Sequence, residues 1–315
     1  MIEIASPSPA TIAKAAQFIR SGEIVAMPTE TVYGLAADAT RDDAVAKIYT
    51  AKGRPSFNPL IAHCASIEMV RNLIDLSETA ERLAKEFWPG PLTLVGTLAP
   101  TNSVCETARA GLDSLAVRIP DHDVALSLIR HLDRPLVAPS ANPSGRISPT
   151  LAEHVADDFD GDISMILNGG PSRKGVESTI IDVRGPIPHL LRPGPIPRTE
   201  LEEIIGHVDV LSPQTQDPDQ PRAPGQLLRH YAPKAHLRLN VETPDNGEAL
   251  LGFGDCPGAT LNLSPSGDIA EATRNLFAML RTLDRRFDRI AVAPIPESQS
   301  SEALRDRLVR AAETS

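Results

Sequence analysis

The hydrophobic positions in the first two thirds of the chain alternate between two spacings. Short, nearly continuous apolar runs are typical of buried strands. These runs are EIVAMP (23–28), PLIAHC (59–64), PLTLVGTLA (91–99), SLAVRIP (114–120), PLVAPS (135–140), ISMILN (163–168), STIIDV (178–183) and HLLRPG (189–194). Segments between them have apolar residues three and four positions apart, and several open with a capping Ser or Asp, which predicts helices. These segments are ATIAKAAQFIR (10–20), DDAVAKIYTAKG (42–53), SETAERLAKEFW (77–88), DVALSLIRHL (123–132) and SPTLAEHVADDF (148–159). The alternation predicts a mixed α/β fold up to about Gly206.

The pattern is interrupted between Ser212 and His236. This stretch, SPQTQDPDQPRAPGQLLRHYAPKAH, is rich in Pro, Gln and Asp and has no apolar period, so it predicts a linker. Beyond it, strand-like runs and helical spacing return in LRLN (237–240), ALLGFG (249–254), ATLNLS (259–264), the segment 269–283, RIAVAPI (289–295) and SEALRDRLVRAA (301–312). We therefore expect a first domain over residues 1–211, a linker over 212–235, and a smaller α/β domain over 236–315.

Composition narrows the class of protein. The 315 residues carry a formal net charge of −10, which argues against a surface that coats nucleic acid, although a local basic groove remains compatible with it. The cysteines Cys64, Cys105 and Cys256 are few and far apart, which suggests neither a disulfide framework nor a zinc site. No apolar run has the length of a signal peptide core or a bilayer span. We expect a cytoplasmic protein with no membrane association.

Three weaker motifs do not support the ligands that they suggest at first. GFGDCPG (252–258) spaces its glycines differently from the dinucleotide-binding fingerprint, and no suitable acidic residue follows a strand downstream. GGPSRKG (169–175) lacks the Gly-Lys-Ser/Thr ending of a phosphate-binding loop. His63 and Cys64 have no second pair at metal-ligand spacing. A turn, a basic loop and a buried Cys beside a hydrogen-bonded His are the better interpretations.

A stronger signal comes from polar residues near the ends of the predicted strands. The segment AKGRPSFNPLIAH (51–63) holds two cations, an amide and an imidazole between prolines, and PTETVYGLA (28–36) offers several hydroxyls in a predicted turn. Further candidates stand in the strand-end segments LAVRIP, APSAN, VESTIID and LRPG. Each has a structural interpretation when taken alone, such as a turn former or a solvated strand residue. Together they indicate a binding site at the strand ends, where open α/β folds build their sites.

The order of these segments resembles the threonylcarbamoyl-AMP synthase family, which is built on the YrdC-like domain. The resemblance runs from about Ser6 to the C-terminus and includes PTETVYGL, RPSFNPL, FWPGPLTL, VRIP, PSAN and ESTI. The family's KxR…SxN pattern matches Lys52, Arg54, Ser140 and Asn142. RHYAP and the second domain are similar to the longer form of the enzyme. The resemblance implies a YrdC-like twisted mixed sheet with flanking helices and a smaller Rossmann-like α/β domain.

The resemblance also implies a reaction. L-Threonine, bicarbonate and ATP give threonylcarbamoyl-AMP and pyrophosphate, and a downstream tRNA threonylcarbamoyl-transferase complex uses the product. The reaction class is nucleotidyl transfer, with Mg²⁺ expected beside the ATP and no metal ligands assigned to protein side chains. A carbamate anion must approach a polyphosphate, so the repulsion between them has to be offset by cations. The nucleophile is already anionic, which agrees with the lack of an obvious Ser-His-Asp or paired-carboxylate arrangement.

The resemblance assigns the site residues in three groups. The catalytic group is Lys52, Arg54, Ser140 and Asn142. ATP is assigned to Arg54, Asn58, Ser114, Ser140, Ser148, Arg192 and Tyr231. Threonine is assigned to Thr31, His63, Arg118, Ala138 and Ser178. The guanidinium of Arg118 is suited to the threonine carboxylate, because its parallel donors match two oxygens.

The connector departs from the family pattern at one position. A lysine of the family's PGMKYRHYAP is replaced here by Leu227, so its contact is missing or comes from Arg229. We expect the segment from about Ser212 to Lys234 to close over the site as a lid, with Tyr231 and Arg229 reaching the nucleotide, because carbamates and mixed anhydrides decompose in water. A tether that only spaces the domains is the alternative.

Two other functions remain open from the sequence. One is formation of a carbamoyl adenylate in another maturation pathway, although the acylphosphatase-like and zinc-finger segments of such enzymes are absent from this sequence. The other is an RNA-binding module without catalysis, which the acidic net charge disfavours. A weak direct contact with tRNA is left open.

Overall fold

The structure is a computed structural model that describes residues 2–159, 161–210 and 230–313. A large mixed sheet has the strand order β1-β8-β2-β3-β7-β4-β6-β5-β9-β10-β11. Its strands are β1 Ile4–Ala5, β2 Val25–Met27, β3 Gly34–Asp38, β4 Ile61–His63, β5 Leu92–Thr97, β6 Ser114–Arg118, β7 Leu136–Val137, β8 Met165–Leu167, β9 Thr179–Asp182, β10 His189–Arg192 and β11 Asp209–Val210. A smaller parallel sheet has the order β12-β15-β13-β14. Its strands are β12 His236–Arg238, β13 Ala249–Gly252, β14 Leu261–Asn262 and β15 Arg289–Val292.

Helices accompany both sheets. Around the large sheet they are α1 Pro9–Arg20, α2 Asp42–Lys52, α3 Ile67–Arg71, α4 Glu78–Phe87, α5 Glu106–Arg109, α6 Asp123–Leu132, α7 Ala152–Asp158 and α8 Arg198–Ile205. Those of the small sheet are α9 Ile269–Asp284 and α10 Glu302–Ala312. Hydroxyl and carboxylate caps fix several starts: Ser8 and Thr11 form a capping box at α1, and Asp268 caps α9. The predicted mixed α/β fold is confirmed, as are all the helices predicted from apolar spacing.

The strand interiors explain why the sequence shows continuous apolar runs. The strands β2, β4, β7 and β8 are buried along their whole length. Helices α1 and α6 pack together over an apolar cluster that includes residues of β2 and β8, and a larger apolar cluster includes residues of α2, α4 and β4. A strand covered on both faces has no polar positions to alternate with, so its period is lost.

One predicted turn is in part a strand. The segment PTETVYGLA was expected to form a turn, but its last three residues begin β3, which pairs antiparallel with β2 through Val25–Ala36 and Met27–Gly34. Gly34 also lets β3 approach the residue after β7, because a Cβ there would lie 3.0 Å from the Cβ of Ala138. The missed strand brings the hydroxyls of the turn directly beside the segment that follows β7.

The two sheets belong to units that pack against each other. We call the described residues up to 210 the large-sheet unit and residues 230–313 the small-sheet unit. Val32, Ile147 and Val176 of the large-sheet unit are buried in the apolar core of the small-sheet unit. At Gly175 the backbones are so close that a Cβ would lie 2.2 Å from the Arg274 carbonyl oxygen in α9. The small-sheet unit therefore packs directly against the large-sheet unit at residues between 147 and 178.

Helices of the described ranges include none with the length and apolar character needed to cross a bilayer. Much of the predicted linker, including Leu227 and Arg229, lies outside the described residues, so the connector prediction can be followed only from His230 onward.

Candidate functional site

A small cavity lies between the large-sheet unit and the first residues of the small-sheet unit. Its volume is about 40 Å³. Its lining residues are Thr31, Val32, Arg54, Ile61, His63, Arg118, Ala138, Pro139, Ser140, Glu177, Ser178, Arg192, His230 and Tyr231. All five residues assigned to threonine line this cavity, together with Arg54, Ser140, Arg192 and Tyr231 of the residues assigned to ATP. Segments far apart in sequence therefore meet at one place, as the strand-end argument predicts.

Sheet register brings His63 and Arg118 together. They are the last residues of the parallel neighbours β4 and β6, and they are paired in register. Both side chains are buried. Because carboxyl ends of adjacent parallel strands meet at the same edge of a sheet, these two positions could be joined from sequence alone. We call this part of the cavity, with Thr31, Ala138 and Ser178, the Arg118 end.

The Arg118 guanidinium is held on three sides. Its Nε donates to the Gly90 carbonyl at 3.2 Å, and its Nη1 donates to the Thr31 hydroxyl at 2.9 Å. Its Nη2 lies 2.6 Å from Oε1 of Glu30, which is also buried, but this ion pair lacks hydrogen-bond geometry. Glu30 balances the buried positive charge, while the unbonded hydrogens of Nη2 remain for an anionic ligand. Sequence reasoning missed Glu30, although it stands between Thr29 and Thr31 in the motif that was singled out.

His63 is a neutral acceptor. Burial, and secondly the charge of Arg118, lower the pKa of His63 to about 3. Its Nδ1 lies 3.2 Å from the Ile61 carbonyl oxygen, which can only accept, so Nδ1 carries the proton. Nε2 is then free of a proton and can accept a hydrogen bond from an ammonium or a hydroxyl group.

Ser178 links the Arg118 end to the opposite end of the cavity. Its hydroxyl lies 2.7 Å from the hydroxyl of Thr93, and Nη2 of Arg192 donates to Ser178 Oγ at 3.1 Å and to the Ser178 carbonyl at 2.9 Å. Gly194 allows β10 to approach this segment, because a Cβ there would lie 2.2 Å from the Thr179 nitrogen. The LRPG motif thus fixes the position of Arg192 against β9.

Buried cations gather at the other end, which we call the cationic end and define by Lys52, Arg54 and Arg192. Arg54 donates to the Asn58 side chain at 2.6 Å and to the carbonyls of Asn58 and Pro59 at 3.1 and 2.9 Å. Burial lowers the pKa of Arg54 to about 10, and burial also lowers the pKa of Arg192. Charges that are packed together and held by neutral oxygens keep an unbalanced positive potential, which favours an anionic ligand.

Lys52 stands behind the cavity wall. Its Nζ donates to the carbonyls of Ser140 and Asn142 at 2.6 and 2.5 Å, and burial together with the charge of Arg54 holds its pKa well below its usual value. The Asn142 amide donates to the carbonyls of Pro143 and Arg146. The KxR…SxN residues are therefore brought together, with Lys52 and Asn142 shaping the loop that presents Ser140.

Three of the predicted ATP residues do not line the cavity. Asn58 instead accepts a hydrogen bond from Arg54 through its side-chain oxygen. Ser148 lies behind Glu177, to which its hydroxyl donates. Ser114 begins β6, whereas Arg118 ends it, so the two are about 13 Å apart at the usual rise per strand residue. Because β6 runs parallel to β4 with Ala116 opposite Ile61, Ser114 lies on the side of Asn58 and Pro59, and its assignment to ATP stays a prediction.

The small-sheet unit contributes His230 and Tyr231 to the cavity lining. The rings of His230 and Tyr231 meet edge to face with centroids 4.0 Å apart, and Tyr231 stacks on Phe277 of α9. Both residues are buried, and neither the Tyr231 hydroxyl nor His230 Nδ1 has a hydrogen-bond partner in the described ranges. Tyr231 also has a positive φ of 67°, a conformation that packing must hold in place. An unpaired hydroxyl at the cavity is available to a ligand.

The carboxylates and imidazoles of the site do not form a metal cage. Within the described ranges, no group of three or more His, Cys, Asp or Glu side chains is arranged to hold an ion. A divalent ion that accompanies ATP would thus have to take its oxygen ligands mainly from the phosphates and water, as Mg²⁺ commonly does.

Family models match both units. The Sua5/YciO/YrdC model, described as telomere recombination, matches residues 17–194. A second model, described as the C-terminal domain of threonylcarbamoyl-AMP synthase, matches residues 196–313. The two matches cover nearly the whole chain in the order that the sequence predicts.

Curated relatives agree with these models. The threonylcarbamoyl-AMP synthase of Pyrococcus abyssi is 44% identical, over 94% of this chain and 92% of the relative. The protein of the same name from Bacillus subtilis is 48% identical, over 76% of this chain and 69% of the relative. The crystal structure of P. abyssi Sua5 complexed with L-threonine superposes with a TM-score of 0.90 at 41% identity, covering 99% of this chain and 98% of that one. The chain therefore belongs to the Sua5/YciO/YrdC family, in the two-domain form that carries the C-terminal domain of threonylcarbamoyl-AMP synthases.

Proposed function

We propose that the protein is an L-threonylcarbamoyladenylate synthase, a nucleotidyltransferase that makes threonylcarbamoyl-AMP and pyrophosphate from L-threonine, bicarbonate and ATP. The observation that carries the proposal is the two-ended cavity, with a fork-shaped guanidinium at one end and clustered buried cations at the other. This layout suits a ligand pair in which an amino acid meets a polyphosphate. The identity to threonylcarbamoyl-AMP synthases over both units supports the same conclusion.

The Arg118 end would hold L-threonine. The threonine carboxylate binds the free hydrogens of the Arg118 guanidinium, while Nε2 of His63 accepts a hydrogen bond from the amine or the hydroxyl of threonine. Thr31 and Ser178 provide further hydroxyls, and the backbone at Ala138 completes the pocket. The complex of the P. abyssi protein with L-threonine supports L-threonine as the ligand.

The cationic end would hold the triphosphate. The amine of threonine condenses with bicarbonate to a carbamate, with loss of water. A carbamate oxygen then attacks the α-phosphorus of ATP, and the bond to the β-phosphate oxygen breaks to release pyrophosphate. Arg54 and Arg192 reduce the repulsion between these anions, and Lys52 fixes the loop of Ser140 while adding its charge. Asn58, Ser114, Asn142, Ser148 and Tyr231 complete the proposed nucleotide contacts.

We also propose that the connector acts as a lid. The cavity of about 40 Å³ is far below the roughly 300–1,000 Å³ of ligand pockets, so binding of ATP requires its walls to move apart. His230 and Tyr231, which end the connector, line it directly. Their withdrawal would open the site, and their return would exclude water from the carbamate and the mixed anhydride. The proposed boundaries are residues 1–211, 212–235 and 236–315.

The product would be consumed by an enzyme that transfers the threonylcarbamoyl group to tRNA, and we propose a cytoplasmic location for the protein. A tRNA contact of this chain itself is not required by the proposal. A divalent ion, proposed to be Mg²⁺, would enter with ATP.

Pyrophosphate release tests the proposed function. We expect release from ATP only when L-threonine and bicarbonate are both present, and a sharp fall when either is omitted. ATP hydrolysis that is indifferent to threonine would overturn the assignment. Release with threonine replaced by carbamoyl phosphate would instead favour the carbamoyl-adenylate alternative.

The lid has a separate test. We expect ATP and threonine together to protect the peptide bonds between residues 212 and 229 from a protease. We also expect Tyr231→Ala to weaken ATP binding and to release adenylate into solution during turnover. A tether predicts neither change, so equal protease sensitivity with and without ligands would contradict the lid.

A further inference from the structure

The last helix of the chain carries an arginine into the interior of the molecule. Arg307, in α10, has a relative exposure of 0%. Its Nε donates to Glu177 Oε2 at 2.9 Å, and its Nη2 donates to the Pro193 carbonyl at 3.0 Å. The guanidinium carbon lies 4.9 Å from the centroid of the Tyr231 ring. One side chain near the end of the chain therefore contacts three segments around the cationic end.

Glu177 explains why a buried arginine is needed there. Among the described residues that line the cavity, Glu177 alone carries a carboxylate. Its Oε1 accepts from the Ser148 hydroxyl. Burial alone would raise the pKa of Glu177, but the charges of Arg307 and Arg192 hold it at about 2. The carboxylate is therefore ionised at neutral pH.

An ionised carboxylate in this wall has two costs for an anionic ligand. It repels phosphate oxygens across a poorly solvated cavity, and it competes with them for Arg192. Pairing with Arg307 offsets both effects. The pair also holds the carboxylate oxygens toward α10 and Ser148, and the aromatic face of Tyr231 covers the guanidinium.

A second arginine of the small-sheet unit acts on the same segment. Arg281 of α9 donates to the carbonyls of Ile147 and Ser148 and pairs with Asp158. These contacts fix the backbone on which the Ser148 hydroxyl stands. Arg281 thus stabilises the backbone at Ser148. Its partners are two carbonyls and the Asp158 carboxylate, and none of these residues lines the cavity.

We propose that Arg307 is a positioning residue for the nucleotide, which neutralises Glu177 and thereby leaves Arg54 and Arg192 available to polyphosphate. The C-terminal unit then has a defined part in the reaction: it supplies the counter-charge of the cationic end. The proposal rests on the proposed function, because it takes ATP as the anion.

The proposal predicts opposite signs for the two partners of one ion pair. Arg307→Gln leaves Glu177 uncompensated beside the phosphates, so ATP binding weakens. Glu177→Gln removes the negative charge, keeps an oxygen acceptor for Ser148, and leaves Arg307 paired with Asp306, so ATP binding does not weaken. Both variants lose thermal stability, because each breaks a buried pair. A structural role alone would lower stability and ATP affinity together in both variants.

Calorimetric titration of the full chain with ATP measures this difference. The variants are Arg307→Gln, Arg307→Lys, Glu177→Gln and the double variant Glu177→Gln/Arg307→Gln. Arg305→Gln is the control, because Arg305 lies in the same helix and pairs with the exposed Glu297. Melting temperatures are recorded in parallel.

We expect Arg307→Gln to raise the Kd for ATP by roughly tenfold or more, as like charges at a binding surface do. Arg307→Lys keeps the charge, so its Kd stays close to that of the wild type. Glu177→Gln has an unchanged or lower Kd, and the double variant recovers most of the lost affinity. Arg305→Gln changes neither affinity nor melting.

Three results would each overturn the proposal. These are wild-type ATP affinity in folded Arg307→Gln, a weakening in Glu177→Gln as large as in Arg307→Gln, and a double variant no better than Arg307→Gln. If Arg307→Gln does not fold, the Kd for ATP of Glu177→Gln and of the double variant is compared with that of the wild type. The proposal then predicts a Kd close to or below the wild-type value for Glu177→Gln and one close to it for the double variant. Binding is measured without turnover, so a wild-type chain that binds ATP but makes no threonylcarbamoyl-AMP would defeat the proposed function and leave this comparison intact.

Discussion

The two ends of the cavity are built in different ways. At the Arg118 end the side chains that line the cavity come from the large-sheet unit, and the register of β4 and β6 sets the key pair. At the cationic end Arg54 and Arg192 come from the large-sheet unit, while Arg307 and Tyr231 come from the small-sheet unit. The first end therefore depends on one sheet, and the second depends on the packing of two units.

Charge balance differs as well. Arg118 has its own buried counter-ion in Glu30, so the positive charge at that end is compensated before a ligand arrives. At the cationic end the balance is reversed: Arg54 and Lys52 donate to oxygens of neutral groups, and the carboxylate of Glu177 is neutralised from outside the sheet. The two ends therefore suit different ligands. A zwitterionic amino acid needs little unbalanced positive charge, whereas a polyanion needs much more.

The largest effect is expected from Lys52→Met. The substitution leaves the carbonyls of Ser140 and Asn142 without their donor and removes one of the clustered charges. We expect pyrophosphate release to fall by on the order of 100-fold or more, with a lower melting temperature. Lys47→Met is the matched control, since Lys47 lies in the same helix and forms an exposed pair with Glu23. Equal activity in the two variants would contradict the part given to the cationic end.

A smaller effect is expected from the choice of amino acid, which tests the Arg118 end alone. Serine lacks one methyl group, so we expect kcat/KM for serine to be lower by roughly 10- to 200-fold. Valine keeps the shape but cannot satisfy the hydroxyl groups of the pocket, so it should be poorer than serine. Steady-state pyrophosphate release gives these ratios. Equal turnover of threonine, serine and valine would show that Thr31, His63 and Ser178 do not form the pocket.

The smallest effect concerns pH. Burial lowers the pKa of His63 from 6.5 to about 3, so the unfolded chain takes up a proton below pH 6.5 that the folded chain refuses. The shift therefore leaves the free energy of unfolding unchanged above pH 6.5. The free energy of unfolding then decreases as pH falls toward 3. At pH 5 the loss is at most about 2 kcal/mol.

Urea unfolding at pH 7.5 and pH 5 measures this contribution. We expect His63→Gln to lose less stability between the two values than the wild type does. The same pH slope in both proteins would mean that His63 is protonated in the folded state, and its assignment as an acceptor would fail.

Much of the Arg118 end could be predicted from the sequence. Apolar strand runs located the carboxyl ends of β4 and β6, and polar residues at such ends are recognisable without knowing the topology. Lys52, Arg54 and Arg192 could be grouped with them by the family pattern. Ser114 was grouped in the same way and stays a prediction, because it begins β6 and does not line the cavity.

The rest of the cationic end could not be predicted in the same way. Arg307 contacts Glu177 across 130 positions, and no local pattern reports such a contact. One local signal exists: Leu304, Leu308 and Ala311 form the buried stripe of α10, and Arg307 occupies a position of that stripe. An arginine on an apolar helical face indicates a buried acidic partner, but only the fold identifies the partner.

The most direct test of a cavity with two separate ends is a crossed titration. Arg118→Lys keeps a charge opposite Glu30 but loses the fork, and Arg54→Gln removes a charge from the cationic end. Calorimetry measures the Kd of L-threonine and of ATP for each. We predict that Arg118→Lys weakens threonine by on the order of 100-fold and leaves ATP almost unchanged, whereas Arg54→Gln weakens ATP and leaves threonine almost unchanged. Equal losses of both ligands in both variants, or the reverse pattern, would contradict the account.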